Sequence, residues 1–140
     1  MKDKALFSHT YEMRIPFFDV DMLEIAWHGH YVKYFEEARC AMLEKIGYNY
    51  LDMKKDGYAW PIVDMHLKYM SPAKFTQLIK IRCDLVEYEN RLKINYLIYD
   101  SETGQKLTKG YTIQLAVDVK NQQASFVTPK QWQQKIKEIL

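Results

Sequence analysis

Residues 19–39 read DVDMLEIAWHGHYVKYFEEAR, and across this stretch the apolar spacing changes from that of a strand to that of a helix. On its amino side Tyr11, Met13, Ile15 and Phe17 alternate with Glu12, Arg14 and Pro16, the period of a half-buried strand. On its carboxyl side Tyr31, Phe35, Ala38, Met42 and Ile46, with Val32, Tyr34 and Leu43 beside them, recur every three to four residues. That is one broad helix face, and Gly47 stands where a carboxyl-terminal cap belongs. The helix is therefore expected to start between His28 and Tyr31. Its first N–H groups have no partner inside the helix, and its aligned peptide dipoles place roughly half a positive charge there. Such an end suits a developing oxyanion. The loop delivers a carboxylate, Asp21, and two histidines, His28 and His30, to it.

The remaining chain reads mostly as strands. Residues 48–57 are polar and broken, and 59–70 is a strand carrying Trp60, Ile62, Val63, Met65, Leu67 and Tyr69, stopped by Ser71-Pro72-Ala73. Two further strands, 78–88 and 92–99, flank a tight Glu89-Asn90-Arg91 turn; Asp100 to Gly104 turns the chain into a long strand, 106–119. Pro129 then opens a short terminal helix with Trp132, Ile136, Ile139 and Leu140 at helical spacing. Strand, long helix, four antiparallel strands and a terminal helix make an α+β pattern. The single long helix has one sheet to lie against, so the sheet is expected to curl around it. Its edge strands then invite pairing with a second subunit.

A chain of 140 residues, 48% of them apolar, fits one domain, 1–140, with a real core. Twenty basic against eighteen acidic residues leave a formal charge of +2, and the charges are scattered. Nucleic acid is thus not an expected partner. The start, MKDKALFSH, lacks the apolar run of a signal peptide, and nowhere do eighteen apolar residues follow one another. The sequence predicts a soluble, cytoplasmic protein with no membrane insertion. Cys40 and Cys83 lack C-x-x-C spacing and read as buried, reduced thiols. His28 and His30 form an H-x-H pair without a third ligand nearby, so no metal site is expected. His66 falls on the polar side of its strand and His9 in the amino-terminal tail.

From spacing alone Asp21 is either a reactive carboxylate or a turn-forming aspartate that hydrogen-bonds its own backbone. Asp19, read as still in the strand, would point the same way and hold the loop through backbone N–H groups. Trp27, beside His28, is the best candidate among the aromatic residues for lining a pocket.

The pattern as a whole resembles the hotdog-fold acyl thioesterases of the 4-hydroxybenzoyl-CoA thioesterase and YbgC-like family. The residues that carry the resemblance are Phe18-Asp19-Val20-Asp21, then Trp27-His28-Gly29-His30-Tyr31 and Tyr34-Phe35-Glu36-Glu37-Ala38-Arg39, with Tyr69-Met70-Ser71-Pro72-Ala73 in support. It implies an antiparallel curved sheet wrapped around one long central helix. It implies catalysis by Asp21, as nucleophile or general base, with the backbone N–H of His28 polarising the thioester carbonyl. The substrate-binding positions would be Trp27, Gly29, His30 and Tyr31, with Trp60, Ile62 and Val63 supplied across a subunit boundary. A homodimer or tetramer is implied, with no cofactor and no metal. The Trp-His-Gly form is similar to a subgroup whose acyl group rides on a carrier protein rather than coenzyme A. Two positions depart from the family pattern: Glu24 where glycine is common, and His30 where asparagine is common.

Two other activities fit the same fold. A hotdog dehydratase or hydratase uses an aspartate and a histidine about five positions apart, whereas Asp21 and His28 are seven apart. A non-catalytic module would bind acyl groups or their carrier in the same groove without cleaving the thioester.

Overall fold

The first strand begins earlier than its strongest alternation suggests. In the computed structural model, which describes residues 4–140, β1 runs Phe7–Arg14, with Phe7, His9, Tyr11 and Met13 half-buried and the residues between them exposed. His9 therefore belongs to a strand and not to a tail. Pro16, which has no N–H to offer a ladder, ends the extended run, and Phe17–Asp19 form a short 3-10 turn.

A second 3-10 turn, His28–His30, leads into helix α1, Tyr31–Ile46. Its buried face carries Tyr31, Tyr34, Phe35, Ala38, Arg39, Met42, Leu43 and Ile46. Gly47, at φ +89°, closes it in the left-handed conformation and returns its N–H to the carbonyls of Leu43 and Glu44. The stretch read as broken contains a short helix, α2, Tyr50–Lys55. Asn49 accepts from the N–H groups of Leu51 and Asp52, and Asp52 accepts from Asn49 N–H, a reciprocal cap.

Strands β2 (Tyr58–Ala59), β3 (Ile62–Tyr69), β4 (Leu78–Glu87), β5 (Leu92–Asp100), β6 (Lys106–Gln114), β7 (Ala116–Asp118) and β8 (Gln123–Ser125) precede helix α3, Lys130–Ile139. They form two antiparallel sheets, β1-β4-β5-β6-β3 and β2-β7-β8. Two expected long strands are thus each broken in two. Trp60-Pro61 separates β2 from β3, and opposite that break Leu115 leaves the ladder to donate to the Pro61 carbonyl at 3.3 Å. The proline cannot continue a central ladder, so the chain changes sheets there.

The inner face of the larger sheet packs on α1. One register row crosses all five strands, Tyr11, Ile81, Ile98, Thr108 and Tyr69, and carries the sheet from its β1 edge to its β3 edge. Phe35 stacks on Tyr96, ring centroids 4.2 Å apart at 6°. Trp132 of α3 closes one end of the core against Trp60 and Tyr48. The expected antiparallel sheet around one central helix is the arrangement found. Cys83 is buried, while Cys40 is only half-buried.

Candidate active site

The loop between β1 and α1 is held as a miniature hairpin. Val20 bridges Ala26, Asp21 N–H donates to the Ile25 carbonyl at 3.0 Å, and Glu24 N–H returns to the Asp21 carbonyl at 3.0 Å. Asp21 Oδ1 accepts the N–H of Leu23 at 2.8 Å. The turn-forming reading of this aspartate is met, and the bond that shapes the turn also fixes its carboxylate. Glu24 sits at φ +61°, a conformation that only glycine adopts without steric cost, which explains why glycine suits this position. The hairpin is fastened along its other side to the segment after β3: Ala26 N–H reaches the Ala73 carbonyl at 2.7 Å and Phe75 N–H the Glu24 carbonyl at 3.0 Å.

Asp19 lies in the first 3-10 turn, not in a strand, and it is buried where Asp21 is exposed. It is 2% exposed. Its carboxylate accepts Lys33 Nζ at 2.7 Å and the Tyr34 hydroxyl at 2.8 Å rather than the backbone N–H groups expected of it, while Trp27 N–H goes to its carbonyl at 3.0 Å. Burial pushes the Asp19 carboxyl up, but the donors from Lys33 and Tyr34 and the Lys33 charge outweigh this and hold it below its ordinary value.

Asp21, His28 and Tyr31 line one groove of about 380 Å³, walled by Ile25, Met70 and Pro72 and bounded by Tyr69. At its helical end His30 N–H donates to the Trp27 carbonyl and Tyr31 N–H to the His28 carbonyl. Among the described residues no acceptor takes the N–H of His28 or Gly29. His30 makes no side-chain cap to α1; its Nδ1 lies 3.8 Å from Asp19 instead. The groove thus brings together the Asp21 carboxylate and His28, whose N–H is unpaired at a positive helix end, while Gly29 and His30 are not part of its lining.

The remaining expected site residues fall elsewhere. Trp27 stands outside the groove, its ring tilted 5.0 Å from that of His28, and it covers Gly29 so closely that a Cβ there would meet the ring at 2.2 Å. Trp60 is buried against Trp132 and does not reach the groove. Ile62 and Val63 lie at the far end of β3 from Tyr69, with Val63 exposed beside Phe126 and Leu115. Tyr69, which the sequence reading places only in its strand and in the family resemblance, also lines this groove. Its hydroxyl donates to the His28 carbonyl at 2.7 Å, and its ring packs edge-on to Tyr31 at 5.2 Å. Tyr31 in turn accepts the Ala73 N–H at 3.0 Å. Burial raises both tyrosines above their ordinary pKa, so each keeps its proton near neutral pH. The signal for Tyr69 was its place, in the last inward position of a strand that stops at Ser71-Pro72.

Residues 15–139 match the model of the thioesterase-like superfamily. The chain belongs to that superfamily. YneP of Bacillus subtilis, whose name assigns it acyl-CoA thioesterase activity provisionally, is 25% identical over 108 residues, 76% of this chain and 78% of that protein. Among solved structures, Slr0204 of Synechocystis, a 1,4-dihydroxy-2-naphthoyl-CoA thioesterase, superposes with a TM-score of 0.83 at 18% identity over 95% of this chain and 98% of that one. A DHNA-CoA thioesterase of Staphylococcus aureus gives 0.84 at 22%, over 94% and 90%. These structural likenesses confirm the hotdog fold of this thioesterase-like chain. Among its described residues no helix is long and apolar enough to cross a membrane.

Proposed function

We propose that this protein hydrolyses acyl thioesters, releasing a carboxylic acid and a free thiol from an acyl-CoA or an acyl carrier protein. The observation that carries this reading is the groove that Asp21 and His28 line together, at a helix start whose His28 and Gly29 N–H groups are unpaired among the described residues. A thioester carbonyl set between them meets a base or nucleophile at carbon and N–H donors at oxygen. As a general base on water Asp21 would contribute about 10²- to 10⁴-fold; as a nucleophile it would form a mixed anhydride that water then opens. The bond from Leu23 N–H to one oxygen leaves the other available for either route. The name of YneP supports coenzyme A as the thiol.

The working unit we infer is a homodimer or tetramer acting in the cytoplasm. β3 is the edge of the five-stranded sheet, pairing only with β6, and Val63 on it is 53% exposed. A second copy on that edge would bring its Ile62 and Val63 against this chain, as the family resemblance implies, whereas Trp60 stays in its own core. Light scattering of the purified protein reads the assembly.

The test is thiol release from benzoyl, short, medium and long acyl-CoA, wild type beside Asp21→Asn. Turnover in the wild type and its loss in a folded Asp21→Asn supports hydrolysis and reads the acyl preference. Activity retained by Asp21→Asn would move the site, with Glu24 the first residue to examine. Thioesters bound but never cleaved, on coenzyme A and on carrier protein alike, would make the protein a binding module.

A further inference from the structure

We propose that Tyr69 is a positioning residue of the oxyanion site, its hydroxyl pinning the His28–Gly29 peptide so that the N–H groups at the start of the helical run face the thioester oxygen. The inference rests on the hydrolase reading of the groove and adds a residue to it.

Folding does not require this hydrogen bond. The His28 carbonyl already accepts Tyr31 N–H within its own turn, so it is satisfied before Tyr69 arrives. The Tyr69 side chain is 47% exposed, and water could serve its hydroxyl. Yet the two groups meet at 2.7 Å across forty-one residues of sequence, from the last residue of β3 to the turn before α1. The ring is held for that contact from two sides, edge-on to Tyr31 at 5.2 Å and to His28 at 6.0 Å.

The chemistry follows from which peptide is gripped. The His28 carbonyl and the Gly29 N–H belong to one amide. Two donors on its oxygen occupy both lone pairs, draw charge toward oxygen and strengthen the N–H at the other end; such cooperative gains are about 10–30% per bond. Holding the His28 carbonyl also fixes the residue whose own N–H precedes it. A preorganised donor costs no reorganisation when charge develops on the thioester oxygen, and this is where an oxyanion site gains over water. Because Tyr69 acts through the peptide, its loss should be felt in turnover more than in binding.

Tyr69→Phe removes only the hydroxyl and keeps both ring contacts. Three readouts apply: the Gly29 amide resonance in a ¹H–¹⁵N spectrum, kcat and KM on the best acyl-CoA, and the carbonyl stretch of a ¹³C-labelled thioester bound to Asp21→Asn with and without Tyr69→Phe. The expected result is an upfield move of the Gly29 resonance, a kcat lower by about tenfold with KM little changed, and a bound carbonyl stretch nearer its value in water. The fold-change is set below the 10²–10³ that loss of a direct donor costs. A kcat equal to wild type, an unmoved stretch, or a loss confined to KM overturns the inference and leaves the hydrolase standing. A wild type that cleaves no thioester overturns the hydrolase reading, and the inference with it.

Discussion

The ammonium of Lys33 lies 2.7 Å from Oδ1 of Asp19 and so fastens the first turn of α1 to the loop that carries Asp21. Tyr34, the next residue on the helix, takes the other oxygen of the same carboxylate. Two consecutive helical donors thus grip one buried acid, placed two residues before the proposed catalytic one. The pair of aspartates divides its work: Asp19 is locked inside, and Asp21 is left open to the groove.

The Asp19 contribution to stability should be sensitive to acid. Its folded-state pKa is depressed below the unfolded value of about 3.9, so its stabilisation is fully present above roughly pH 5 and is lost as pH falls through the folded value. Asp19→Asn keeps the shape but loses the charge-assisted bonds, at an expected cost of about 1–2 kcal/mol near neutrality, discounted because Lys33 is half exposed. Thermal melts of both proteins from pH 7 to pH 3 check this. The gap in Tm should narrow as pH drops below about 4, and a gap constant over the range would remove the ionised pair as its cause.

Glu24 should be better replaced by glycine than by alanine. At φ +61° every residue with a Cβ carries a steric cost, of order 1 kcal/mol or more, while glycine carries none. The added freedom of the unfolded chain takes back part of the gain. Glu24→Gly is therefore expected to stabilise by up to about 1 kcal/mol, and Glu24→Ala to do nothing comparable. Urea midpoints of the two variants decide it, since equal shifts would trace the effect to the lost charge and not to the backbone.

The fold was legible where burial imposes a period. The α1 face, the cap at Gly47 and the alternation of β4 and β5 follow from core contacts that one chain must make, so the residues show them. The short helix α2 was passed over because its signal is the cap, Asn49 with Asp52, and not a period. The breaks at Trp60-Pro61 and Leu115 were hidden because apolar alternation runs on through them while the hydrogen-bond partner changes. Asp21 and His28, which line one groove, stand in one contiguous stretch of sequence, so their nearness was legible there. Tyr69 reaches His28 only through the fold, and Asp19 is buried while Asp21 is not because a 3-10 turn, not a strand, carries it.

Trp27 and Gly29 should prove energetically coupled. A Cβ at position 29 would meet the Trp27 ring at 2.2 to 2.7 Å, so Gly29→Ala must displace a ring that packs on both His28 and His30. We expect Gly29→Ala to lower kcat/KM by at least tenfold. In a Trp27→Leu background, where the obstructing ring is absent, the same substitution should cost much less. Strictly additive losses in that cycle would show that alanine harms the turn itself.

Arg39 provides a test of how the core holds its one buried guanidinium among the described residues. It is 3% exposed; Nε donates to the Tyr50 hydroxyl at 2.6 Å and Nη1 to the Tyr96 hydroxyl at 3.2 Å, while the carboxylate of Glu36 stands 3.9 Å from Nη2. The planar fork thereby ties α1 to α2 and to β5 at once, which a single ammonium cannot reproduce. Arg39→Lys keeps a charge in the core with fewer partners and is expected to cost about 3–5 kcal/mol. Arg39→Met fills similar space without charge, and Tyr96 keeps a partner in the Thr112 hydroxyl at 2.7 Å, so its cost should be smaller, about 1–2 kcal/mol. Urea unfolding of the two variants gives the order. A lysine variant more stable than the methionine variant would mean that the positive charge, and not the shape of the fork, is what this site requires.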